Sequence, residues 1–107
     1  MKLRVGSLGG GSWGTTVASL VARNAPITLW ARNQHTVDEI NSLHTNEKYL
    51  PGATLPEKLI ATNDIEQAVA DADVIIMGIP SHNFRSVLEQ VKDHIRPWVP
   101  IISLTKG

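Results

Sequence analysis

Three glycines near the start of the chain have a spacing that could bind a phosphate group. Gly9, Gly11 and Gly14 form the pattern G-x-G-x-x-G between a short apolar run and a helical pattern. In that setting the first glycine permits a tight turn, the second lets the backbone approach a pyrophosphate, and the third lets the helix pack close to the sheet. The N–H groups and the dipole at the start of the helix attract the anion. The spacing therefore predicts a dinucleotide site, and a glycine turn without a ligand is the alternative.

Two other motifs overlap the same residues, and chemistry argues against both. Gly10, Ser12 and Gly14 satisfy G-x-S-x-G, the nucleophile elbow of hydrolases, but the eleven residues before Ser12 are too few for the strand and loop that complete an oxyanion hole. The P-loop spacing also begins at Gly9, but Thr15 stands where that motif requires lysine. Ser12 is therefore interpreted as a phosphate donor at the start of a helix.

A cation stands where domains that bind NAD usually carry an acid. In those domains an acidic residue about 20 positions past the glycines accepts hydrogen bonds from the ribose 2′-hydroxyl. Here the second predicted strand ends with Leu29–Arg32. A guanidinium at this position suits a 2′-phosphate, which favours NADPH over NADH, and a solvated loop arginine is the alternative. Asp38 and Glu39 come later and are predicted in the first turn of the next helix, where they would complement its dipole.

The turn after the fourth predicted strand is a second candidate for the site. Pro80, Ser81, His82 and Asn83 lie at the carboxyl edge of the sheet, where ligands bind in such folds. Pro80 is expected among the cofactor-binding residues, although this segment could instead only end the strand and cap the helix. Lys106 follows the fifth strand on the same edge and could meet a phosphate or a carbonyl oxygen, or be a surface lysine.

Composition excludes several classes of partner. Ten Lys and Arg residues balance ten Asp and Glu residues, so no basic field is expected to attract nucleic acid or an anionic membrane. The chain has no cysteine, and the first apolar run is too short for a signal peptide or a membrane span. A cytoplasmic protein is expected. No metal site is expected, because the histidines lack metal-ligand spacing. These are His35, His44, His82 and His94.

Apolar periodicity predicts strands that alternate with helices. The first helix is expected from Trp13 to about Asn24. A capping box of Thr36 with Glu39 predicts the start of the second helix, and the same pattern in Asn63 with Glu66 predicts the third. The fourth helix is expected after Ser81. This order predicts an α/β fold, a Rossmann-like doubly wound parallel sheet in a single domain. The fifth strand is expected to be buried and to need a further helix, so residues 1–107 are interpreted as one nucleotide-binding domain truncated at its C-terminal end. The predicted strands are Leu3–Leu8, Ile27–Trp30, Ile60–Thr62, Val74–Ile79 and Ile101–Leu104.

Six short segments carry a more specific combination of residues than the glycine pattern alone. They are Gly9–Gly14, Leu29–Arg32, Lys48–Gly52, Ala70–Asp73, Pro80–Ser81 and Ser103–Gly107. Together they resemble the bacterial type of NAD(P)-dependent glycerol-3-phosphate dehydrogenase, and the resemblance extends over the whole chain.

The resemblance implies an enzyme that reduces dihydroxyacetone phosphate to sn-glycerol 3-phosphate with NAD(P)H, for phospholipid synthesis. In that family a second, helical domain carries most of the catalytic site, including a lysine that acts as the general base. No catalytic residue is therefore expected within residues 1–107, and a homodimer would form through the second domain.

The resemblance also assigns roles to individual residues. It implies that Ser12 and Trp13 contact the cofactor, that Arg32 and Asn33 contact its adenosine end, and that Lys106 contacts both cofactor and substrate. The family often carries a second basic residue at the position of Asn33, which this chain lacks.

Two other kinds of protein are compatible with the sequence. One is the first domain of another two-domain reductase, of the ketopantoate or hydroxyacid type. The other is a non-catalytic module that senses nucleotides, which a chain without a general base could be.

Overall fold

Strands and helices alternate along the chain, as the periodicity predicted. The computed structural model describes residues 3–9, 11–79 and 81–104, without the side chains of Trp13 and Ser81. No helix in these ranges is long and apolar enough to cross a membrane. The elements are β1 (Val5–Leu8), α1 (Ser12–Ala22), β2 (Ile27–Trp30), α2 (Gln34–Leu43), β3 (Leu59–Thr62), α3 (Ile65–Val69), β4 (Val74–Met77), α4 (Ser81–Val91) and β5 (Ile101–Ser103).

All five strands form one parallel sheet in the order β3-β2-β1-β4-β5. Leu8 pairs with Trp30 on one side and with Met77 on the other, so the carboxyl ends of the central strands lie level. The strand order reverses between β1 and β4, and the connections on either side of that point cross opposite faces of the sheet. The prediction of a doubly wound, Rossmann-like sheet is confirmed.

Successive residues of each strand face opposite sides of the sheet, and each side has its own core. Ile27 and Leu29 pack in one cluster with residues of α1 and α2. Ile75 and Met77 pack in a second cluster with residues of α3 and α4. Burial on both faces explains why the strands consist of nearly continuous apolar runs.

Two predicted helix caps are wrong by one or more residues. Asn33, and not Thr36, precedes α2, and its side-chain oxygen accepts a hydrogen bond from the backbone N–H of His35 at 2.8 Å. Asp64, and not Asn63, caps α3. The observed caps lie three residues before and one residue after the predicted ones, because several short polar residues near each helix start can act as caps.

The acidic residues of α2 do not lie in its first turn, contrary to the prediction. Because α2 begins at Gln34, no acidic residue stands there to complement the dipole. Asp38 accepts a hydrogen bond from the Gln34 amide at 2.8 Å. Glu39 instead binds the connection that follows the helix.

The fifth strand is not buried, contrary to expectation. Ile101 and Ile102 are 40% and 51% exposed, and Ser103 is also exposed. The reason is that, in the described ranges, β5 pairs with β4 but packs closely against no helix, whereas β3 at the other edge packs against α2. Strand ends also differ slightly from prediction: β1 begins at Val5 and β4 ends at Met77.

Candidate functional site

The glycine turn joins β1 to α1 through a backbone that only glycine accommodates well. Gly9 has φ 117°, a conformation that residues with side chains rarely adopt. A Cβ atom at Gly14 would lie 2.6 Å from the carbonyl oxygen of Gly9, so the helix begins in direct contact with the turn. These two glycines therefore have the turning and packing roles that their spacing predicted.

The start of α1 is open toward the outside of the fold. Gly11 precedes the helix in an extended conformation, no side chain caps the helix, and its first turn contains no acidic residue. A Cβ atom at Gly11 would meet no atom of the described residues within 4 Å, apart from its two chain neighbours. Ser12 is exposed at the first helical position. The helix start thus combines an approachable backbone with N–H groups that no side chain caps, which are the properties of an anion site.

A cleft of about 310 Å³ lies over the carboxyl ends of β1, β2 and β4. This is the point at which the strand order reverses, where open α/β sheets bind their ligands. The volume lies near the lower end of the usual range for small-molecule sites, roughly 300–1,000 Å³. The lining residues are Gly9, Gly11, Trp30, Ala31, Arg32, Asn33, Thr36, Lys48, Tyr49, Gly78, Ile79 and Asn83.

Arg32 lies on the rim of the cleft above a fixed aromatic ring. Its guanidinium carbon is 5.5 Å from the centre of the Trp30 ring. The indole N–H of Trp30 donates to the carbonyl oxygen of Asn63 at 3.1 Å, which holds the ring in place. No carboxylate lines the cleft, and Arg32 forms no ion pair with another described residue. The guanidinium is therefore free to bind an anionic ligand.

The structure brings together some of the predicted site residues. Gly9, Gly11, Arg32 and Asn33 line one cleft, and Asn83 of the predicted turn lines it as well. Ser12 and Gly14 belong to the first turn of α1, directly behind the glycine turn. Their roles toward a cofactor stay predictions. Pro80, Lys106 and the side chain of Trp13 lie outside what the structure describes.

One wall of the cleft consists of residues that the sequence did not predict as part of the site. Lys48 and Tyr49 line it from the long connection between α2 and β3, and Thr36 lines it from α2. The Lys48 ammonium lies 5.2 Å from the centre of the Tyr49 ring. This segment formed part of the family resemblance, but no periodicity places an irregular connection against a distant turn.

Glu39 fixes the beginning of that connection. Its carboxylate accepts hydrogen bonds from the Thr45 hydroxyl at 2.7 Å and from the Glu47 N–H at 2.8 Å. Both bonds favour the ionised form, so they hold the pKa of Glu39 below its ordinary value, with Thr45 the larger cause. Within the described residues, no group of three or more His, Asp and Glu side chains could hold a metal ion.

The sheet order and the position of the cleft define a nucleotide-binding domain of the Rossmann-like class. The family model for the NAD-dependent glycerol-3-phosphate dehydrogenase N-terminus matches residues 4–107. The chain belongs to this family.

Individual relatives agree with this membership. The chain is 67% identical over 107 residues to a glycerol-3-phosphate dehydrogenase of the NAD(P)+ type from Sphingopyxis alaskensis, covering 100% of this chain and 32% of that protein. It superposes with TM-score 0.92 and 36% identity on a glycerol-3-phosphate dehydrogenase from Saccharomyces cerevisiae, covering 100% of this chain and 34% of that one. The chain thus spans about a third of the length of the relatives it matches.

The alternative of a ketopantoate-type reductase is not favoured. A ketopantoate reductase from Ralstonia eutropha superposes with TM-score 0.79, but at 22% identity. Similarity at that level shows a shared fold and nothing about substrate.

Proposed function

We propose that this chain is the cofactor-binding part of an enzyme that reduces dihydroxyacetone phosphate to sn-glycerol 3-phosphate with NADPH or NADH. The observation that carries this proposal is the uncapped start of α1 at the glycine turn, open to the cleft at the reversal of strand order. Family membership supplies the substrate pair.

The residues present fit a dinucleotide. The pyrophosphate would lie at the start of α1, against Gly11 and Ser12, where the helix dipole and the backbone N–H groups stabilise negative charge. The adenosine ribose would lie toward Arg32 and Asn33. When bound, the cofactor supplies the hydride, and the chain's own residues bind it, orient it and offset the charge of its phosphates.

We infer a preference for NADPH from the cations around the cleft. Arg32 forms no ion pair among the described residues and has no neighbouring acid that could accept hydrogen bonds from a ribose 2′-hydroxyl. A guanidinium binds phosphate oxygens with charge-assisted hydrogen bonds that a neutral hydroxyl does not match.

The substrate end of the site needs groups from beyond the described residues. Lys106 is the proposed contact to both cofactor and substrate, and the turn at Pro80 is proposed to face the same end. The general base, the remaining substrate contacts and a homodimer interface are assigned to a second domain. The reaction itself is proposed to occur in the cytoplasm and to supply phospholipid synthesis.

A binding titration tests the cofactor site. It uses the intact protein, by which we mean residues 1–107 together with the proposed second domain. Gly11→Val places a branched side chain where the pyrophosphate would approach, in space that is open in the protein alone. NADPH affinity should fall by at least about tenfold while circular dichroism stays native. A variant with a native spectrum and unchanged affinity would show that the phosphate binds elsewhere, and binding of NADPH without any turnover would favour the nucleotide-sensing alternative.

A further inference from the structure

Two buried polar side chains meet behind the cleft. Thr15 of α1 is 0% exposed, and Asn46, in the connection between α2 and β3, is 1% exposed. The Asn46 amide nitrogen donates to the Thr15 hydroxyl oxygen at 3.1 Å. Burying polar side chains is unfavourable unless they form hydrogen bonds. This contact therefore favours one placement of the connection between α2 and β3 relative to α1.

Each partner of this hydrogen bond is rigidly connected to one wall of the cleft. The carbonyl oxygen of Asn46 accepts from the N–H groups of Tyr49 at 3.2 Å and Leu50 at 2.7 Å, which closes a tight turn around Lys48. The N–H of Thr15 donates to the carbonyl oxygen of Gly11 at 2.9 Å, in the first turn of α1. The contact therefore links the Lys48–Tyr49 wall to the proposed phosphate site.

We propose that Asn46 and Thr15 are positioning residues that set the distance between the Lys48–Tyr49 wall and the start of α1. Neither residue lines the cleft, so neither would touch the cofactor. Lys48 and Tyr49 line it together with Arg32 and so would face the adenosine phosphate half. Loss of the hydrogen bond between Asn46 and Thr15 should weaken binding of the adenosine phosphate half more than binding of the nicotinamide half. This inference rests on the proposed function.

Two neighbouring threonines of α1 provide a matched test in the intact protein. Thr15→Val removes the buried hydroxyl at nearly constant shape. Thr16→Val is the control, because the Thr16 hydroxyl donates to the Ser12 carbonyl oxygen of its own helix at 2.7 Å. Thr15→Ser keeps a hydroxyl and should rescue the loss.

The principal readout is the dissociation constant of 2′,5′-ADP, a probe of the adenosine half, compared with that of nicotinamide mononucleotide. Thr15→Val should weaken 2′,5′-ADP by about fivefold, the equivalent of one net hydrogen bond of about 1 kcal/mol. The affinity for nicotinamide mononucleotide should stay within about twofold, because that half lies away from the loop. A merely stabilising role would lower the melting temperature without changing the ratio of the two affinities.

Amide hydrogen exchange provides a second readout that needs no ligand. The N–H groups of Tyr49 and Leu50 should exchange faster in Thr15→Val than in wild type. In Thr16→Val their exchange rates should equal those of wild type. Where Thr15→Val does not fold, Asn46→Ser serves instead, since the shorter side chain cannot reach the hydroxyl.

The outcomes separate this inference from the proposed function. Wild-type affinity for 2′,5′-ADP in a folded Thr15→Val variant, with unchanged exchange at Tyr49, would overturn the positioning role alone. A wild-type protein that binds neither NADPH nor NADH would overturn the proposed function, and the positioning role with it.

Discussion

Arg32 is the residue on which the proposed preference for NADPH depends. Its guanidinium lies over the Trp30 ring, which is itself held by the Asn63 carbonyl oxygen. Such support reduces the side-chain freedom that must be lost when an anion binds. Lys48 is a second cation that lines the cleft, and none of the described lining residues carries a carboxylate that could compete for either cation.

We predict that Arg32→Ser removes the preference for NADPH in the intact protein. Affinity for NADPH should fall by at least about tenfold, since a charge-assisted hydrogen bond contributes about 1.5–3 kcal/mol. Affinity for NADH should change by no more than about twofold, because NADH has no 2′-phosphate. Titration of both cofactors measures this. Arg23→Ser, at the opposite end of α1, is the control, and an unchanged ratio in Arg32→Ser would remove Arg32 from the site.

Substitutions at Gly14 and Gly11 should differ in their effect on the free energy of unfolding. Gly14→Val forces a side chain against the Gly9 carbonyl oxygen, 2.6 Å from the new Cβ, and should lower the free energy of unfolding by about 2 kcal/mol or more. Gly11→Val meets open space and should cost much less stability. Urea unfolding of the two variants compares them directly. Equal losses would mean that α1 does not approach the turn as closely as described.

At the scale of elements, the connection between α2 and β3 determines one side of the cleft. Hydrogen bonds hold it at several points: Glu39 binds Thr45 and Glu47, and the Leu55 N–H donates to the His44 carbonyl oxygen at 2.7 Å. Binding residues often lie on loops that a rigid scaffold positions, and these hydrogen bonds attach the connection to the fold at defined points.

The Glu39 contacts should make this connection sensitive to acid. A carboxyl whose pKa is lower in the folded chain stabilises the fold above its ordinary pKa, and that stabilisation is lost as the pH falls through the folded pKa. Glu39→Gln should therefore melt below wild type near neutral pH, and the difference should shrink in acid. Glu57→Gln, an exposed residue of the same connection, is the control. A difference that is constant with pH would contradict the role of the Glu39 charge.

At the scale of the whole molecule, local patterns predicted the sheet and the glycine turn but not the complete cleft. Apolar runs such as 74–77 and the spacing of Gly9 and Gly14 depend on neighbours in sequence, so they can be read from it. The wall at Tyr49 depends on the hydrogen bond between Asn46 and Thr15, which are 31 residues apart in sequence. Exposure of β5 likewise depends on what packs beside it, which periodicity does not encode.

This chain spans about a third of its relatives' length, and no general base is assigned within the cleft proposed for the cofactor. We therefore expect residues 1–107 to bind the cofactor without catalysing the reaction. Hydride transfer requires the substrate to be held close to the cofactor and a proton donor at its carbonyl oxygen. Those groups are proposed to come from a second domain.

The most direct test is the rate of NADPH oxidation with dihydroxyacetone phosphate, followed by the absorbance of the reduced nicotinamide. The intact protein and residues 1–107 alone are compared at equal concentration. We expect turnover by the intact protein and none above background by residues 1–107. Substantial turnover by residues 1–107, or none by an intact protein that binds NADPH, would contradict it.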